Sequence, residues 1–389
     1  MYVSIRGTML TRAVPANVVA LGAVSLVTDI SSEMITAVLP LYLVGTLGLS
    51  LVQFGVLDGL YFGITAAVRL AGGHAADRWR RRKLVAGVGY ALSAAAKVGL
   101  LAAGASVAAL GAAIAADRTG KGLRTAPRDA LITLSAPPEG LGSAFGVHRA
   151  MDTAGAFLGP LAAFGVLAAT GGAHDAVFVT SFCVAMLGVV LLAALVRDRR
   201  GPLAPRPSLR AAVLRDRAFL RVCAAACLLG LVTVSDAFVY LMLQRRLGFA
   251  PELFPLLPLG TAGVYLLLAV PFGRLSDRYG RAVVFLGGHL ALLGAYLVLM
   301  GPGWLVPVLV LHGAFYAATD GVLMALAGPM LPETLRTSGL AVLQTGQAAA
   351  RMVSSIGFGV LWTGLGAGQG LLVMAAGLVI SIIIAWRVL

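Results

Sequence analysis

Runs of about twenty mostly apolar residues recur along this chain from end to end, and that is the length an α-helix needs to cross a bilayer. Between breaks of glycine, proline and charge, twelve such runs can be read. The first six fall at roughly 14–44, 52–73, 84–104, 106–126, 144–168 and 174–196. The second six fall at roughly 218–243, 253–273, 282–301, 304–330, 339–362 and 368–387. Between them lies the polar stretch RDRRGPLAPRPSLRAAVLRDR. Inside hydrocarbon the backbone must satisfy its own polar groups, and runs this long do so as helices. The expected fold is therefore all-α and integral to a membrane, with twelve transmembrane helices in two six-helix bundles. The N-terminal bundle covers 1–196, the central loop 197–217 and the C-terminal bundle 218–389.

Composition agrees. Only 12% of the 389 residues are charged and 59% are hydrophobic, against about 25% charged in soluble domains. A net charge of +14 raises nucleic acid as a partner. However, the basic residues sit in short clusters between apolar runs rather than on one polar face, which excludes that class. Cys183, Cys223 and Cys227 lie in apolar runs and make no zinc spacing, so no metal and no cofactor is expected. Arg6 and Arg12 precede the first apolar run as in a signal peptide. That run continues to about Leu43 without a small-residue cleavage site, and is expected to be retained.

Lysine and arginine also set orientation. One set of loops holds Arg78 to Lys83, Arg128, seven arginines of the central stretch, Arg278, Arg281 and Arg336; the other holds Arg245 and Arg246. The rich side is expected to be cytoplasmic. With an even number of spans, both termini then lie there too, in a bacterial inner membrane.

The two halves correspond at a spacing of roughly 200 residues. GGHAADRWRRRK after span 2 and FGRLSDRYGRAV after span 8 place Asp77-Arg78 and Asp277-Arg278 alike. Asp29 in SLVTD pairs with Asp236 in VTVSD, Asp117 with Asp320, and Arg149 with Arg351. A six-helix unit repeated in the same orientation is a transporter architecture, with substrate sites near the midplane between the halves.

On these residues the chain resembles the major facilitator superfamily. The family's loop after span 2 reads approximately G-x-L-A-D-R-x-G-R-[KR]; here it is Gly73 to Arg82, departing at Ala75 and Arg80. The second copy, GRLSDRYGR, fits more closely. The span-4 pattern R-x-x-[QK]-G aligns with Arg118, Lys121 and Gly122. Gly155, Gly159 and Pro160 in span 5 resemble the G-x-x-x-G-P element of the family's proton antiporters, without the glycines that normally follow. The resemblance implies rocker-switch alternating access and proton-coupled export of a small amphiphilic organic molecule, a drug or metabolite. It also places Arg118 at the cavity in a proton-transfer role. The alternatives are a proton symporter importing a metabolite and, from another class, a receptor or enzyme. The chain shows no nucleophilic grouping, metal spacing or phosphate loop, so an enzyme is not expected. A monomer with a small-molecule substrate, protons and the lipid bilayer as partners is.

An ionisable side chain at the bilayer centre costs at least about 2.5–3.5 kcal/mol, so those present face partners or water. Asp29 and Glu33 share a helix face one turn apart and are candidates for proton coupling, or else for structural bonding. Asp117, Lys121, Arg124 and Arg128 form a stripe on span 4. Arg118 points about 100° away and is expected to hold a carboxylate such as Asp29. Arg124 and Arg128 are expected near the cytoplasmic rim, as a gate with Asp129 and the Asp77 loop or merely as orienting charges. Pro127 is expected to end the helix just before Arg128. In span 5, His148, Arg149 and Asp152 share a face, with Arg149 and Asp152 close enough to pair. Asp58 and Lys97 are expected to pair between spans 2 and 3, and Arg69 to support the Asp77 loop. Asp236, Asp320 and Arg351 are the cavity candidates of the second half. The loops at Asp77-Arg78 and Asp277-Arg278 are candidate latches that stabilise an outward-facing state. These charges nearly balance, so neither a strongly cationic nor a strongly anionic substrate is inferred.

Overall fold

The computed structural model describes residues 14–79, 81–199, 216–301, 304–331 and 336–389, with backbone alone at 66, 69–79, 139 and 336–338. Among these residues every regular element is helical. The first half contains α1 (Ala16–Leu41), α2 (Leu51–Trp79), α3 (Arg82–Ala102), α4 (Val107–Ser135), α5 (Leu141–Thr170) and α6 (His174–Leu195). The second contains α7 (Arg217–Leu231), α8 (Asp236–Leu247), α9 (Leu256–Tyr279), α10 (Arg281–Met300), α11 (Leu305–Ala327), α12 (Arg336–Leu365) and α13 (Ala367–Val388).

Among the described residues ten helical segments are long and apolar enough to cross a membrane, with α7 and α8 forming one of them. The two remaining runs are α2 and α4. The second is interrupted by Asp117, Arg118, Lys121, Arg124, Arg128 and Asp129, a density of charge that belongs on a helix with protein or water around it. Elsewhere large apolar side chains face outward, among them Leu267, Val306 and Trp386. In water such a surface would be costly; in lipid it is required.

Helices α1–α6 pack on one another, as do α7–α13, and α2 lies along α12 between the two bundles. The turns α2–α3, α4–α5, α9–α10 and α11–α12 share one end of the molecule, the basic end. At the opposite end the core is continuous across both bundles. There Phe54 of α2 meets Phe238 of α8 edge-on at 4.9 Å, and Phe238 meets Phe358 of α12 at 5.0 Å. A second cluster (Val18, Leu21, Val24, Tyr90, Leu131, Leu192) belongs to the first bundle alone, at the basic end. The α2–α12 contact is close because glycine permits it. A Cβ at Gly55 would sit 2.7 Å from the Ser355 carbonyl oxygen, and one at Gly359 2.5 Å from that of Leu51.

Two expectations about helix limits are corrected. Span 7 is not one helix: α7 ends at Leu231 and α8 begins at Asp236. The freed backbone groups find partners on neighbours. The Val234 N–H donates to the Tyr296 hydroxyl at 2.7 Å, that hydroxyl donates to the Val232 carbonyl at 3.2 Å, and the Ser354 hydroxyl donates to the Thr233 carbonyl at 2.8 Å. Irregular backbone within a membrane needs such partners. Nor does Pro127 end α4, which runs on to Ser135 with the proline inside it. Leu131 and Ile132 of the added turns are fully buried. Their packing outweighs the one backbone bond that proline removes.

Candidate functional site

Between the bundles lies a cavity of about 320 Å³. From the first bundle α2 contributes Tyr61, Phe62 and Thr65, and α4 contributes Arg118 and Lys121. From the second, α11 contributes Tyr316, Thr319, Asp320, Leu323 and Met324, and α12 contributes Gln344, Thr345, Gln347, Ala348 and Arg351. Most of this lining can form hydrogen bonds. Of the sequence candidates, the fold brings Arg118, Lys121, Asp320 and Arg351 to the cavity wall itself.

Behind the first wall the charges are heavily paired. Arg118 donates through Nε to the Asp117 carboxylate at 2.9 Å, and its guanidinium lies 4.0 Å from the Tyr61 ring centroid. Asp117 also accepts from the Ser93 hydroxyl and has Lys97 Nζ at 3.6 Å. Asp29 is held instead by Arg124, at 3.4 Å, whose guanidinium stacks 4.6 Å over Tyr90. Two expected pairs are thereby corrected. Arg118 holds its neighbour on α4 rather than Asp29, because Asp29 faces the next turns of α4. Lys97 belongs to Asp117 rather than Asp58, because α3 packs against α4.

Arg124 and Arg128 are buried inside the first bundle, not at a rim. Arg128 lies 3.2 Å from Asp129 and 3.6 Å from Asp152, and donates to the Ser25 hydroxyl at 3.2 Å. That hydroxyl is bonded to His148 at 3.0 Å. Arg149 pairs with Asp152 at 3.6 Å as its spacing predicts, but its side chain is 70% exposed and away from the cavity. Lys121 differs from its neighbours. Among the described residues no carboxylate lies within ion-pair distance of it, yet it acts electrostatically on both Asp29 and Glu33.

The glycine element of span 5 is a helix crossing. A Cβ at Gly155 would strike the Leu26 carbonyl oxygen, and one at Gly159 would come within 2.8 Å of that of Ile30 and 2.6 Å of the Glu33 Cβ. Together with Pro160, which lies within α5, these glycines seat the helix against the stretch of α1 that carries Asp29 and Glu33.

In the second bundle Asp236 opens α8, just past the break in span 7. Its carboxylate accepts from His312 Nε2 at 2.9 Å and from the Tyr316 hydroxyl at 2.6 Å. The Arg351 guanidinium lies 5.7 Å from the Tyr316 ring centroid. Asp320 is exposed to the cavity. At the sealed end Asp58 of the first bundle accepts from the Ser355 hydroxyl of the second at 2.6 Å, and Ser355 also donates to the Gly55 carbonyl at 3.2 Å. At the basic end Asp277 has Arg281 at 3.9 Å, and Arg278 lies 5.3 Å from the Tyr279 ring centroid; both contacts stay within the second bundle. The side chains of Arg69, Asp77, Arg78 and Arg336 lie outside the described residues, as does most of the central loop.

Sequence reading missed His312, Tyr316, Tyr61 and Ser355. For the first two a signal exists: His312, Tyr316 and Asp320 fall at i, i+4 and i+8, one face of a helix.

Comparison with known proteins bears on this geometry. The sequence profile of the Major Facilitator Superfamily matches residues 21–264. A protein of Methanocaldococcus jannaschii described as an uncharacterized MFS-type transporter is 30% identical over 364 residues, covering 90% of this chain and 89% of that one. Among solved structures, a mutant of the nucleoside transporter NupG superposes with a TM-score of 0.82 at 15% identity, covering 96% of this chain and 99% of that one. A bacterial homolog of the human lysosomal transporter Spinster, inward-facing and unoccupied, superposes with a TM-score of 0.78 at 17% identity, covering 96% of each chain.

Proposed function

The chain belongs to the Major Facilitator Superfamily, a multi-pass membrane transporter and not an enzyme, and from that premise we propose that it couples protons to the export of a small organic molecule by rocker-switch alternating access. The observation that carries this reading is the cavity, which joins both bundles, is sealed at one end by the α2–α12 contact, and carries Arg118, Lys121, Asp320 and Arg351 on its wall. The bundles 1–196 and 218–389 are the rocking bodies, and 197–217 is their tether. Arginine-rich loops stay on the cytoplasmic side, so the basic end faces the cytoplasm, both termini with it, and the state described here opens inward. The Asp77-Arg78 and Asp277-Arg278 latches engage when the basic end closes. The lining is rich in hydrogen-bonding groups, which favours a polar metabolite over a greasy drug. The protein acts as a monomer.

A second reading, import by proton symport, is favoured by Lys121. A substrate anion that binds Lys121 offsets its charge, and Asp29 and Glu33 then accept a proton together with the substrate. Proteoliposomes with an imposed pH gradient separate the two readings, because the luminal pH change on adding a transported solute has opposite sign for antiport and symport. If Asp29→Asn and Glu33→Gln leave gradient-driven accumulation intact, the proton-coupling assignment is wrong.

A further inference from the structure

The four charges on the cavity wall are not equally available. Arg118 is committed to Asp117 and stacked on Tyr61. Arg351 is stacked on Tyr316. On the second wall the exposed acid is Asp320, with no base within ion-pair distance among the described residues. On the first wall the half-buried Lys121 has no carboxylate within ion-pair distance among the described residues. An available cation and an available anion therefore stand on walls that belong to different bundles.

From this the geometry points to a dipolar substrate: a small polar solute whose anionic group binds Lys121 and whose protonated amine binds Asp320. It rests on the transport reading above and narrows its substrate class. The cavity, about 320 Å³, suits a solute of that size. Tyr61 and Tyr316 line the same cavity. Gln344 and Gln347 supply hydrogen bonds.

A dipolar solute also explains how binding leads to movement. A ligand shifts a conformational equilibrium only by its difference in affinity for the two states. A solute held by one charge is anchored to one bundle, and its affinity depends less on how the bundles stand. A solute held at both ends pulls the bundles together at the basic end, and stabilises a closed cavity over an open one.

The test is thermal stabilisation of the purified full chain in detergent, without any gradient. Short-chain ω-amino acids of increasing length are compared with their amides, which keep only the cation, and with their N-acetyl derivatives, which keep only the anion. At least one parent should raise the unfolding midpoint, and both of its derivatives should bind roughly tenfold more weakly, the effect of losing one charge-assisted bond. Lys121→Gln should make the amide as good as the parent. Asp320→Asn should do the same for the N-acetyl compound. Both substitutions lie on the cavity wall, and unchanged elution on size exclusion confirms folding. The proposal is overturned if a singly charged derivative stabilises the wild-type protein as well as its parent, or if no member of the series stabilises it. Loss of proton movement in vesicles, with dipolar binding intact, removes the coupling reading and supports this one.

Discussion

The two bundles are copies of one plan that have spent their charges differently. In the first, Asp117 is enclosed by Arg118, Lys97 and Ser93, and Asp29 by Arg124. In the second, the counterparts are sparse. Asp236 is bonded by a histidine and a tyrosine rather than by an arginine, and Asp320 faces the cavity. Arg149 is displaced outward while its counterpart Arg351 lines the cavity. The corresponding charges stand at like points in the sequence of each half. What each one does was settled by the neighbours that each half then acquired. A bundle of paired charges is a rigid body with little affinity to spare; a bundle with an exposed acid keeps some for a ligand.

The sharpest way to break this contrast is to remove the centre of the first network. Asp117→Asn leaves two cations, Arg118 and Lys97, buried without their anion. Such a loss costs about 3–5 kcal/mol and should show as a large fall in unfolding midpoint in detergent. The matching change in the second bundle, Asp236→Asn, should cost less, about 1.5–3 kcal/mol, because a histidine and a tyrosine bond it rather than an arginine and a lysine, and its side chain is 41% exposed. Equal losses at the two sites would mean that the halves are not different in this respect. Tyr296→Phe tests the broken span, which the first bundle lacks. It removes one partner of the Val234 N–H and should cost about 1 kcal/mol, measured by the same melt. The smallest effect is expected of Arg149→Ala. Its pair is exposed and so worth less than about 1 kcal/mol, with no change in solute binding by thermal shift.

Much of the architecture was legible in the chain. Apolar run length and the repeated Asp-Arg loops are local features, and they led to the span count and the parallel halves. Of the site, Arg118, Lys121, Asp320 and Arg351 could be picked out because a charge in an apolar run is costly wherever it lies. Their partners could not. Whether Asp29 meets Arg118 or Arg124 depends on how α1 is rotated against α4, and sequence spacing says nothing of that rotation. Asp58 shows the same limit. Its depth in span 2 matched Lys97, yet α2 faces the second bundle there, and the carboxylate bonds to Ser355.

The sequence by itself determined that the chain is a set of membrane helices, because hydrocarbon leaves the backbone few other choices. It also determined which side chains pay the cost of being charged there. Only the tertiary structure decided that α4 runs through Pro127, that span 7 breaks before Asp236, and that Lys121 and Asp320 share a cavity. Each of these depends on contacts between helices far apart in sequence. A burial of Leu131, a hydroxyl from Tyr296 and a gap between two bundles are properties of packing, and no single helix contains them.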